Sequence, residues 1–276
     1  MRGVISQVAD EIKCLLVDLD GTVYLGDKLI NGSLKLRDAT EEKGIRVFFM
    51  TNNSSRSVKF YSEKLTRLGW PVGTDSILSS QEATALELSR RGTSRVYAVG
   101  TESLVDELER FGLEVHEGYD ESAEYVVVGF DTTLTYEKLV IAGKHIQRGV
   151  PVIATHPDTV CPVGKREFIP DCGAIIACLK TAYEHMEVEV MGKPEAGMVK
   201  LVESRTPFRG KQIGVVGDRL YTDMKFGKKW GMRSVLVLSG ETIREDITED
   251  NRPDIVIDHV GVLADMLLNQ QLRFGA

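Results

Sequence analysis

The sequence predicts an α/β protein: a parallel sheet flanked by helices, with a second, smaller α/β domain inserted in it. Two observations lead to this fold class. Short apolar, β-branched runs alternate with helical stretches throughout the 276 residues. The runs are bounded by glycine, proline or polar residues, as buried parallel strands tend to be. This alternation is typical of parallel strands that are joined by right-handed helical crossovers.

The predicted elements follow in strand–helix order. Strands are predicted at 15–19, 46–50, 95–99, 125–129, 151–155, 212–216 and 234–238, and helices at 33–42, 58–68, 103–111, 136–147, 173–184 and 196–204. Seven strands can form one sheet, but residues 80–190 have the pattern of a separate unit with three strand–helix pairs. We therefore predict a core domain formed by residues 1–79 and 191–276, and an inserted domain at 80–190.

Composition excludes several classes of function. The net charge of −7 argues against a protein that binds nucleic acid through its phosphate backbone. The four cysteines form neither a CxxC pair nor a zinc spacing, which indicates reduced, mostly structural thiols. The first thirteen residues lack a signal-like apolar core, and no run approaches eighteen apolar residues. We expect a cytoplasmic protein with no membrane span.

Polar residues cluster where predicted strands end. The sequence DLDGT (18–22) ends the first strand, TNNS (51–54) ends the second, and GD (217–218) ends the strand at 212–216, with Asp223 five residues on. Lys193 stands in MGKP (191–194), just before a helix. In open parallel sheets the ligand crevice lies at the carboxyl ends of the strands. These residues are therefore candidates for one shared site.

The charges in this pattern indicate the chemistry. Asp18, Asp20 and Asp218 would repel one another without a cation, and a hard oxygen site of this kind suits Mg²⁺. Thr51 and Asn52 can donate hydrogen bonds to a phosphate, and a lysine supplies a point charge. Taken singly, each motif has a simpler interpretation as a turn, a helix cap or an exposed lysine. Their joint placement at strand ends favours a site.

The motifs resemble those of a known superfamily. DLDGTV (18–23), Thr51, Lys193 and GDRLYTD (217–223) resemble the four haloacid dehalogenase motifs, in the same order. More narrowly, TNNS (51–54), ATHPD (154–158), PDCGA (170–174) and VLSG (237–240) resemble the NagD / 4-nitrophenylphosphatase branch, which also contains phosphoglycolate and pyridoxal-phosphate phosphatases. The resemblance implies a Rossmann-like parallel-sheet core with an α/β cap inserted between the second and third motifs.

The resemblance also implies a role for each matching residue. Asp18 would be the nucleophile, and Asp20 the general acid and then the general base. Mg²⁺ would be held by Asp18, the backbone carbonyl of Asp20 and Asp218. Asp223 would orient the metal ligands. The phosphoryl oxygens would be held by Thr51, Asn52, Asn53 and Lys193. The resemblance also implies a small hairpin at 23–31 with its turn at Gly26-Asp27.

Three residues of the inserted domain are candidates for substrate choice: His156, Cys161 and Asp171. The pyridoxal-phosphate phosphatases have a substrate-contacting histidine before a cap proline, where this chain has Cys161, which argues against pyridoxal phosphate. His156, where the branch more often has asparagine, is interpreted as loop-stabilising, with substrate contact as the alternative. Residues 155–173 are predicted to be a long loop, stiffened by three prolines, that selects the substrate. A plain surface connection is the alternative.

We therefore expect a Mg²⁺-dependent phosphatase that hydrolyses small phosphorylated metabolites through an aspartyl-phosphate on Asp18. A phosphotransferase or a dehalogenase on the same scaffold and a non-catalytic phospho-ligand sensor are the alternatives. Dehalogenation needs no metal, so Asp20 and Asp218 argue against it, and a sensor would be expected to lose Asp18 or Asp20. Related proteins include monomers and cap-mediated dimers, so a homodimer through the cap stays open.

Overall fold

The computed structural model describes residues 11–164 and 167–268. The strands are β1 Cys14–Val17, β2 Tyr24–Leu25, β3 Lys28–Leu29, β4 Arg46–Thr51, β5 Ile77–Ser79, β6 Arg95–Val99, β7 Glu114–His116, β8 Tyr125–Val128, β9 Val152–Ala154, β10 Val160–Gly164, β11 Glu167–Pro170, β12 Val188–Val190, β13 Ile213–Gly217, β14 Arg233–Val237 and β15 Ile255–Ile257. The α-helices are α1 Ser33–Lys43, α2 Val58–Arg67, α3 Ser80–Arg90, α4 Glu102–Arg110, α5 Tyr136–Gln147, α6 Cys172–Ala182, α7 Ala196–Arg205, α8 Lys225–Lys229 and α9 Val260–Leu267.

By its contacts the chain divides into two compact units. Unit 1 contains the described residues among 1–50, 62–77 and 203–276, and unit 2 contains those among 51–61 and 78–202. Three segments predicted in the core, 51–61, 78–79 and 191–202, group with the inserted part by this criterion. Compact units and inserted domains are different divisions of a chain, so the domain boundaries at 79/80 and 190/191 stay a prediction.

A six-stranded sheet has the order β15–β14–β13–β1–β4–β5. Strand β1 lies at its centre, parallel to β13 and β4, with Val17 opposite both Val216 and Phe49. All four residues of β1 are buried, which explains why this strand is an unbroken apolar run and does not alternate. The chain therefore leaves β1 at Asp18 from the middle of a buried sheet.

Unit 2 contains a five-stranded parallel sheet of order β12–β9–β8–β6–β7. Its residues alternate between two apolar cores, as the pleat requires. Val126 and Val128 lie in one core, with residues of α5 and α6. Val127 and Ile153 lie in the other, with residues of α3 and α4. Helices therefore cover both faces of this sheet, and its strand ends form an edge that loops can occupy.

All seven predicted strands and six predicted helices are present, with ends shifted by at most two residues. They belong to two sheets, as the inserted-domain interpretation requires. The hairpin predicted at 23–31 is confirmed as the antiparallel pair β2–β3, and Gly26 takes a positive φ of 57° in its turn. The analysis missed β5, β7, β12 and β15, because strands of three residues are too short to show a pattern.

The long loop predicted at 155–173 is wrong in its central part. Strands β10 and β11 pair there as an antiparallel ribbon, with Pro162 opposite Phe168 and Val160 opposite Pro170. A two-stranded ribbon has a free edge on each strand, so it tolerates prolines that would interrupt a central strand. Residues 165–166 of this stretch lie outside the described residues, as do 1–10 and 269–276. The interpretation of the first thirteen residues therefore lies mostly outside the described part of the chain.

The described part of the chain contains no helix with the length and apolarity to cross a membrane.

Candidate active site

Three carboxylates of unit 1 converge where β1 and β13 end. The backbone N–H of Asp18 donates to the carbonyl of Val216 at 2.8 Å, which continues the pairing of the strands to the first residue of the motif. Asp18, Asp218 and Asp223 each offer a carboxylate oxygen within 4.8 Å of the other two. We call these three residues the acidic cluster. The sequence placed them at strand ends, and unit 1 brings them together.

Asp218 is the member whose environment is most informative. It is only 3% exposed; its Oδ2 accepts the Glu241 N–H at 2.6 Å, and its Oδ1 is buried with no hydrogen-bond partner among the described residues. Burial, reinforced by the nearby charge of Asp223, raises the pKa of Asp218 to about 7. A Cβ atom at Gly21 or Gly240 would overlap this carboxylate, so both positions require glycine.

The donor set fits a hard divalent cation. All the cluster's side-chain donors are oxygens, and Mg²⁺ prefers oxygen ligands and bridges to phosphates. A bound cation would pair with the buried Asp218 Oδ1 and offset the repulsion between Asp218 and Asp223. The residues present therefore match the metal that the resemblance implies.

Asp20, the other aspartate of the DLDGT motif, has positive side chains near it. Burial raises the pKa of its carboxyl, and the positive charges of Lys64 and Arg219 counteract part of that rise. Lys64 Nζ also lies 3.7 Å from the ring centroid of Tyr24, and burial lowers the pKa of this amine. The sequence analysis missed Lys64, because a lysine within an amphipathic helix carries no motif.

Unit 2 contains the other predicted site residues, and three of them, Thr51, Asn52 and Asn53, lie at the end of β4 or just after it. Asn52 fastens Lys193 through its backbone: Asn52 Oδ1 accepts the Lys193 N–H at 2.8 Å, and Asn52 Nδ2 donates to the Lys193 carbonyl at 3.1 Å. The same amide donates to Asp158 Oδ2 at 3.2 Å. The side chain of Asn52 is therefore occupied in holding Lys193, and a contact of Asn52 with phosphate would fall to its backbone.

Thr51 and Asn53 form the rest of this turn. Thr51 Oγ1 accepts the Asn53 N–H at 3.1 Å, which leaves the hydroxyl proton to be donated elsewhere. Asn53 Oδ1 accepts from the N–H and hydroxyl of Ser55 at 3.0 and 2.7 Å. Asn53 Nδ2 lies 4.0 Å from the sulfur of Cys161 on β10. Thr51, Asn53 and Cys161 are thus neighbours within unit 2.

Residues Thr51–Ser55, which we call the post-β4 segment, lie along the carboxyl edge of the five-stranded sheet. Each contact comes from a residue within three positions of the end of a strand. Lys193 follows β12 and bonds Asn52, and Thr155 follows β9 and bonds Ser54. Phe130 follows β8 and also bonds Ser54, and Thr101 follows β6 and bonds Ser55. The edge of this sheet therefore fixes the segment at four successive strands.

The two remaining candidates, His156 and Asp171, bond to each other. His156 is fully buried, and its Nε2 lies 2.8 Å from Asp171 Oδ1. The same oxygen accepts the Cys172 N–H at 2.6 Å and so caps the N-terminus of α6. These contacts favour the loop-stabilising interpretation of His156.

Each unit thus assembles one set of candidates. Unit 1 holds Asp18, Asp20, Asp218 and Asp223, and unit 2 holds Thr51, Asn52, Asn53, Lys193, His156, Cys161 and Asp171. The residues that the sequence analysis missed in unit 2 are Ser54, Thr155 and Asp158. Two of them stand in the ATHPD motif (154–158), which was a signal that these positions have a purpose.

Comparison with known proteins agrees with the motifs and the fold. Residues 15–114 match a family model described as haloacid dehalogenase-like hydrolase, and residues 190–263 match a second model of HAD-like hydrolases. An acid sugar phosphatase of Staphylococcus aureus (strain MRSA252) is 34% identical over 245 residues, which are 88% of this chain and 93% of the relative. The chain belongs to the haloacid dehalogenase superfamily.

Solved structures place it in the predicted branch of that superfamily. A 4-nitrophenylphosphatase from Thermotoga maritima is 39% identical, with a TM-score of 0.88 over 94% of this chain and 98% of that one. A glycerol phosphate phosphatase from Mycobacterium tuberculosis, solved in complex with magnesium, is 30% identical, with a TM-score of 0.84 over 94% of this chain and 77% of that one. Membership of the NagD / 4-nitrophenylphosphatase branch is thereby confirmed.

Proposed function

We propose that this protein is a Mg²⁺-dependent phosphatase that hydrolyses small phosphomonoesters through an aspartyl-phosphate on Asp18. The observation that carries the proposal is the acidic cluster, with its buried Asp218 oxygen that no described residue pairs. A protein with only a structural use for these aspartates would pair that oxygen internally, since a buried unsatisfied carboxylate is costly.

The first half of the reaction forms the covalent intermediate. A carboxylate oxygen of Asp18 attacks the phosphorus, and the bond from phosphorus to the ester oxygen breaks. Asp20 donates its proton to that oxygen, so the leaving group departs as a neutral alcohol. The raised pKa of Asp20 supports this role, because a carboxyl that holds its proton longer can act as an acid.

The second half regenerates the enzyme. Asp20, now ionised, takes a proton from a water molecule, whose oxygen attacks the phosphorus of the aspartyl-phosphate. The bond between phosphorus and the Asp18 oxygen breaks, which releases inorganic phosphate. The resemblance assigns the phosphoryl oxygens to Thr51, Asn52, Asn53 and Lys193. Because the Asn52 side chain bonds Lys193 and Asp158, we propose that Asn52 contributes its backbone. When bound, Mg²⁺ would offset negative charge on Asp18, Asp218 and the phosphoryl group.

Small phosphomonoesters are the substrate class that the relatives share. The names of the compared proteins refer to sugar phosphates, 4-nitrophenyl phosphate and glycerol phosphate. Cys161 before Pro162 argues against pyridoxal phosphate as the substrate of this chain. We also propose that the enzyme works in the cytoplasm, either alone or as a homodimer through the cap, and its four free thiols support a reducing compartment.

The decisive experiment is hydrolysis of 4-nitrophenyl phosphate with Mg²⁺ and with a chelator. We expect turnover that the chelator abolishes and Mg²⁺ restores. Asp18→Asn should reduce kcat by about 10⁴-fold or more, because it removes the attacking oxygen charge while keeping the shape. Asp38→Asn, an exposed aspartate of the same unit, is the matched control and should be unchanged. Activity of Asp18→Asn within about tenfold of wild type, one step of 1.4 kcal/mol in barrier, would contradict the nucleophile assignment.

A further inference from the structure

A continuous chain of buried hydrogen bonds joins the post-β4 segment to the N-terminus of α6. Ser54 Oγ lies 2.9 Å from Thr155 Oγ1, which lies 2.9 Å from His156 Nδ1. His156 Nε2 lies 2.8 Å from Asp171 Oδ1. At the other end, the N–H of Phe130 donates to Ser54 Oγ at 2.9 Å. The four side chains of the chain are at most 4% exposed.

The donors and acceptors of these groups allow a consistent direction along the chain, which we adopt here. Asp171 as a carboxylate can only accept, so His156 must donate from Nε2. The neutral imidazole then accepts at Nδ1 from the Thr155 hydroxyl, and Thr155 accepts from the Ser54 hydroxyl. Ser54 in turn accepts from the backbone of Phe130. In this arrangement each hydroxyl donates once and accepts once along the chain, and Thr155 Oγ1 also lies 3.8 Å from Cys172 Sγ.

We propose that His156, oriented by Asp171, is a positioning residue that sets the post-β4 segment for phosphate binding through Thr155 and Ser54. The inference rests on the proposed phosphatase function, which assigns the phosphoryl oxygens to Thr51 and Asn53 in this segment. None of the four linked side chains is exposed enough to meet a substrate. Their influence on the reaction passes through the place of Ser54, the residue that follows Asn53.

Close packing around the chain gives it little freedom to adjust. A Cβ atom at Gly192 would lie 2.6 Å from the Thr155 carbonyl oxygen and 2.7 Å from Asn52 Oδ1. A Cβ atom at Gly129 would lie 3.1 Å from Ser54 Oγ. The backbone at Gly192 therefore packs tightly against the Thr155 carbonyl and the Asn52 side chain, and the backbone at Gly129 packs against the Ser54 side chain. Loss of one bond of the chain cannot be absorbed without moving the segment.

The test breaks the chain at its middle. Thr155→Val keeps the shape of the side chain and removes the hydroxyl that links His156 to Ser54. We expect KM for 4-nitrophenyl phosphate and Ki for inorganic phosphate to rise by about tenfold, the scale of a buried hydrogen bond left unmade. Tyr97→Phe removes another hydroxyl of unit 2, which donates to the Lys138 carbonyl at 3.3 Å outside the chain. It should leave both constants unchanged.

Replacements of His156 supply an independent readout. Asparagine has one amide donor and one acceptor, so His156→Asn can restore part of the chain, whereas His156→Leu can restore none of it. We expect Ki for inorganic phosphate to increase from wild type to His156→Asn to His156→Leu. Melting temperatures, measured in parallel, separate this effect from loss of folded protein, which lowers the apparent kcat and leaves Ki unchanged.

The outcomes distinguish the inference from the function on which it rests. If wild type does not hydrolyse 4-nitrophenyl phosphate, the proposed function fails. If wild type is active and Thr155→Val folds with unchanged KM and Ki, the positioning role is wrong. It is equally wrong if both His156 variants lower the melting temperature while their Ki for inorganic phosphate stays at the wild-type value.

Discussion

Asp218 of unit 1 and Asp171 of unit 2 are almost equally buried, at 3% and 4% exposure, yet their carboxylates differ in the hydrogen bonds they accept. Asp171 Oδ1 accepts two hydrogen bonds, from Cys172 N–H and His156 Nε2. Asp218 Oδ1 accepts none from the described residues. A buried carboxylate that is fully bonded stabilises the fold, and one that is not costs free energy. The difference indicates that Asp218, and not Asp171, binds a ligand from outside the chain.

The contrast extends to the surroundings of each aspartate. Burial and the nearby carboxylate of Asp223 raise the pKa of Asp218, and Gly21 and Gly240 pack closely against its carboxylate. Asp171 sits at a helix N-terminus, where a negative charge is favoured. The candidate residues of unit 1 are carboxylates grouped close together, whereas those of unit 2 are linked to one another by hydrogen bonds. The four predictions below test this division, from the largest expected effect to the smallest.

The first prediction concerns charge used for chemistry in unit 1. Asp20→Asn should reduce turnover of an alkyl phosphomonoester by ~10²–10⁴-fold, because the leaving alkoxide then departs without its proton. The loss should be smaller for 4-nitrophenyl phosphate, whose leaving group hardly needs a proton. Single-turnover measurements of the first step on both substrates make the comparison. Equal losses on the two substrates would contradict the acid role of Asp20.

The sequence predicted unit 1 better than unit 2, and the acidic cluster shows why. Its aspartates directly follow strands, and the carboxyl ends of neighbouring parallel strands meet by geometry alone. Lys64 could not be predicted in the same way, because its approach to Asp20 depends on how α2 packs and no local pattern encodes that. The ribbon β10–β11 was missed because its prolines are typical of loops and also tolerated at a free strand edge.

The hydrogen-bonded chain of unit 2 shows the same limit. Ser54 and Thr155 belong to the TNNS and ATHPD motifs, but the motifs do not indicate that the two hydroxyls meet. The residues are 101 positions apart, and only the folded sheet brings them together. His156 was assigned a stabilising role from its loop, but its partners follow from side-chain geometry. Side-chain hydrogen bonds between distant segments are therefore the part of the site that the sequence leaves open.

The second prediction compares the two buried aspartates directly. In metal-free protein at a pH well above 7, where Asp218 is ionised, Asp218→Asn should raise the melting temperature by a few degrees, because it removes a buried charge whose Oδ1 has no partner among the described residues. Asp171→Asn, which also removes one charge without changing shape, should not raise it, because its carboxylate is already bonded. Differential scanning calorimetry in chelator measures both variants.

The same Asp218 variant should weaken metal binding. We expect the Mg²⁺ concentration for half-maximal activity to rise by about tenfold or more, with partial recovery of turnover at high Mg²⁺. Asp171→Asn should leave this concentration at the wild-type value. If Asp218→Asn had a wild-type dependence on Mg²⁺, Asp218 would not be a metal ligand.

The third prediction separates substrate choice in unit 2 from chemistry in unit 1. Val160 and Phe168 are exposed on the ribbon β10–β11, whereas Cys161 and Ile169 pack against the core. Exchange of residues 160–167 for the equivalent stretch of a related phosphatase should change the order of preference among natural phosphomonoesters. Hydrolysis of 4-nitrophenyl phosphate should be spared, because the residues assigned to phosphoryl transfer are retained.

A screen of phosphorylated metabolites measures that order before and after the exchange. The control exchanges the turn of the β2–β3 hairpin, Gly26-Asp27, for another two-residue turn of the same type, which should leave the order as it is. A folded ribbon exchange with the wild-type order would show that the ribbon is only a surface connection.

The last prediction concerns His145, a fully buried histidine on α5 of unit 2. This buried histidine lies between the rings of Tyr97 and Tyr119, at centroid distances of 5.4 and 4.9 Å. Neither of its ring nitrogens has a hydrogen-bond partner among the described residues. Burial lowers the pKa of His145, and the charges of Arg148, just after the same helix, and His116 on β7 lower it further, against an opposing effect of Asp120.

The sign of the pH effect follows from proton binding. The unfolded chain protonates His145 near pH 6.5, whereas the folded protein does so only at lower pH. Between these values the unfolded state binds more protons, so the free energy of unfolding falls as the pH drops below 6.5. His145→Phe keeps an aromatic ring between the tyrosines and cannot titrate. When the pH is lowered from 7.5 to 5, the melting temperature of His145→Phe should therefore fall by a few degrees less than that of wild type. His185→Gln, which changes an exposed histidine of unit 2, should follow wild type, and an equal fall in His145→Phe would show that His145 contributes nothing to acid sensitivity.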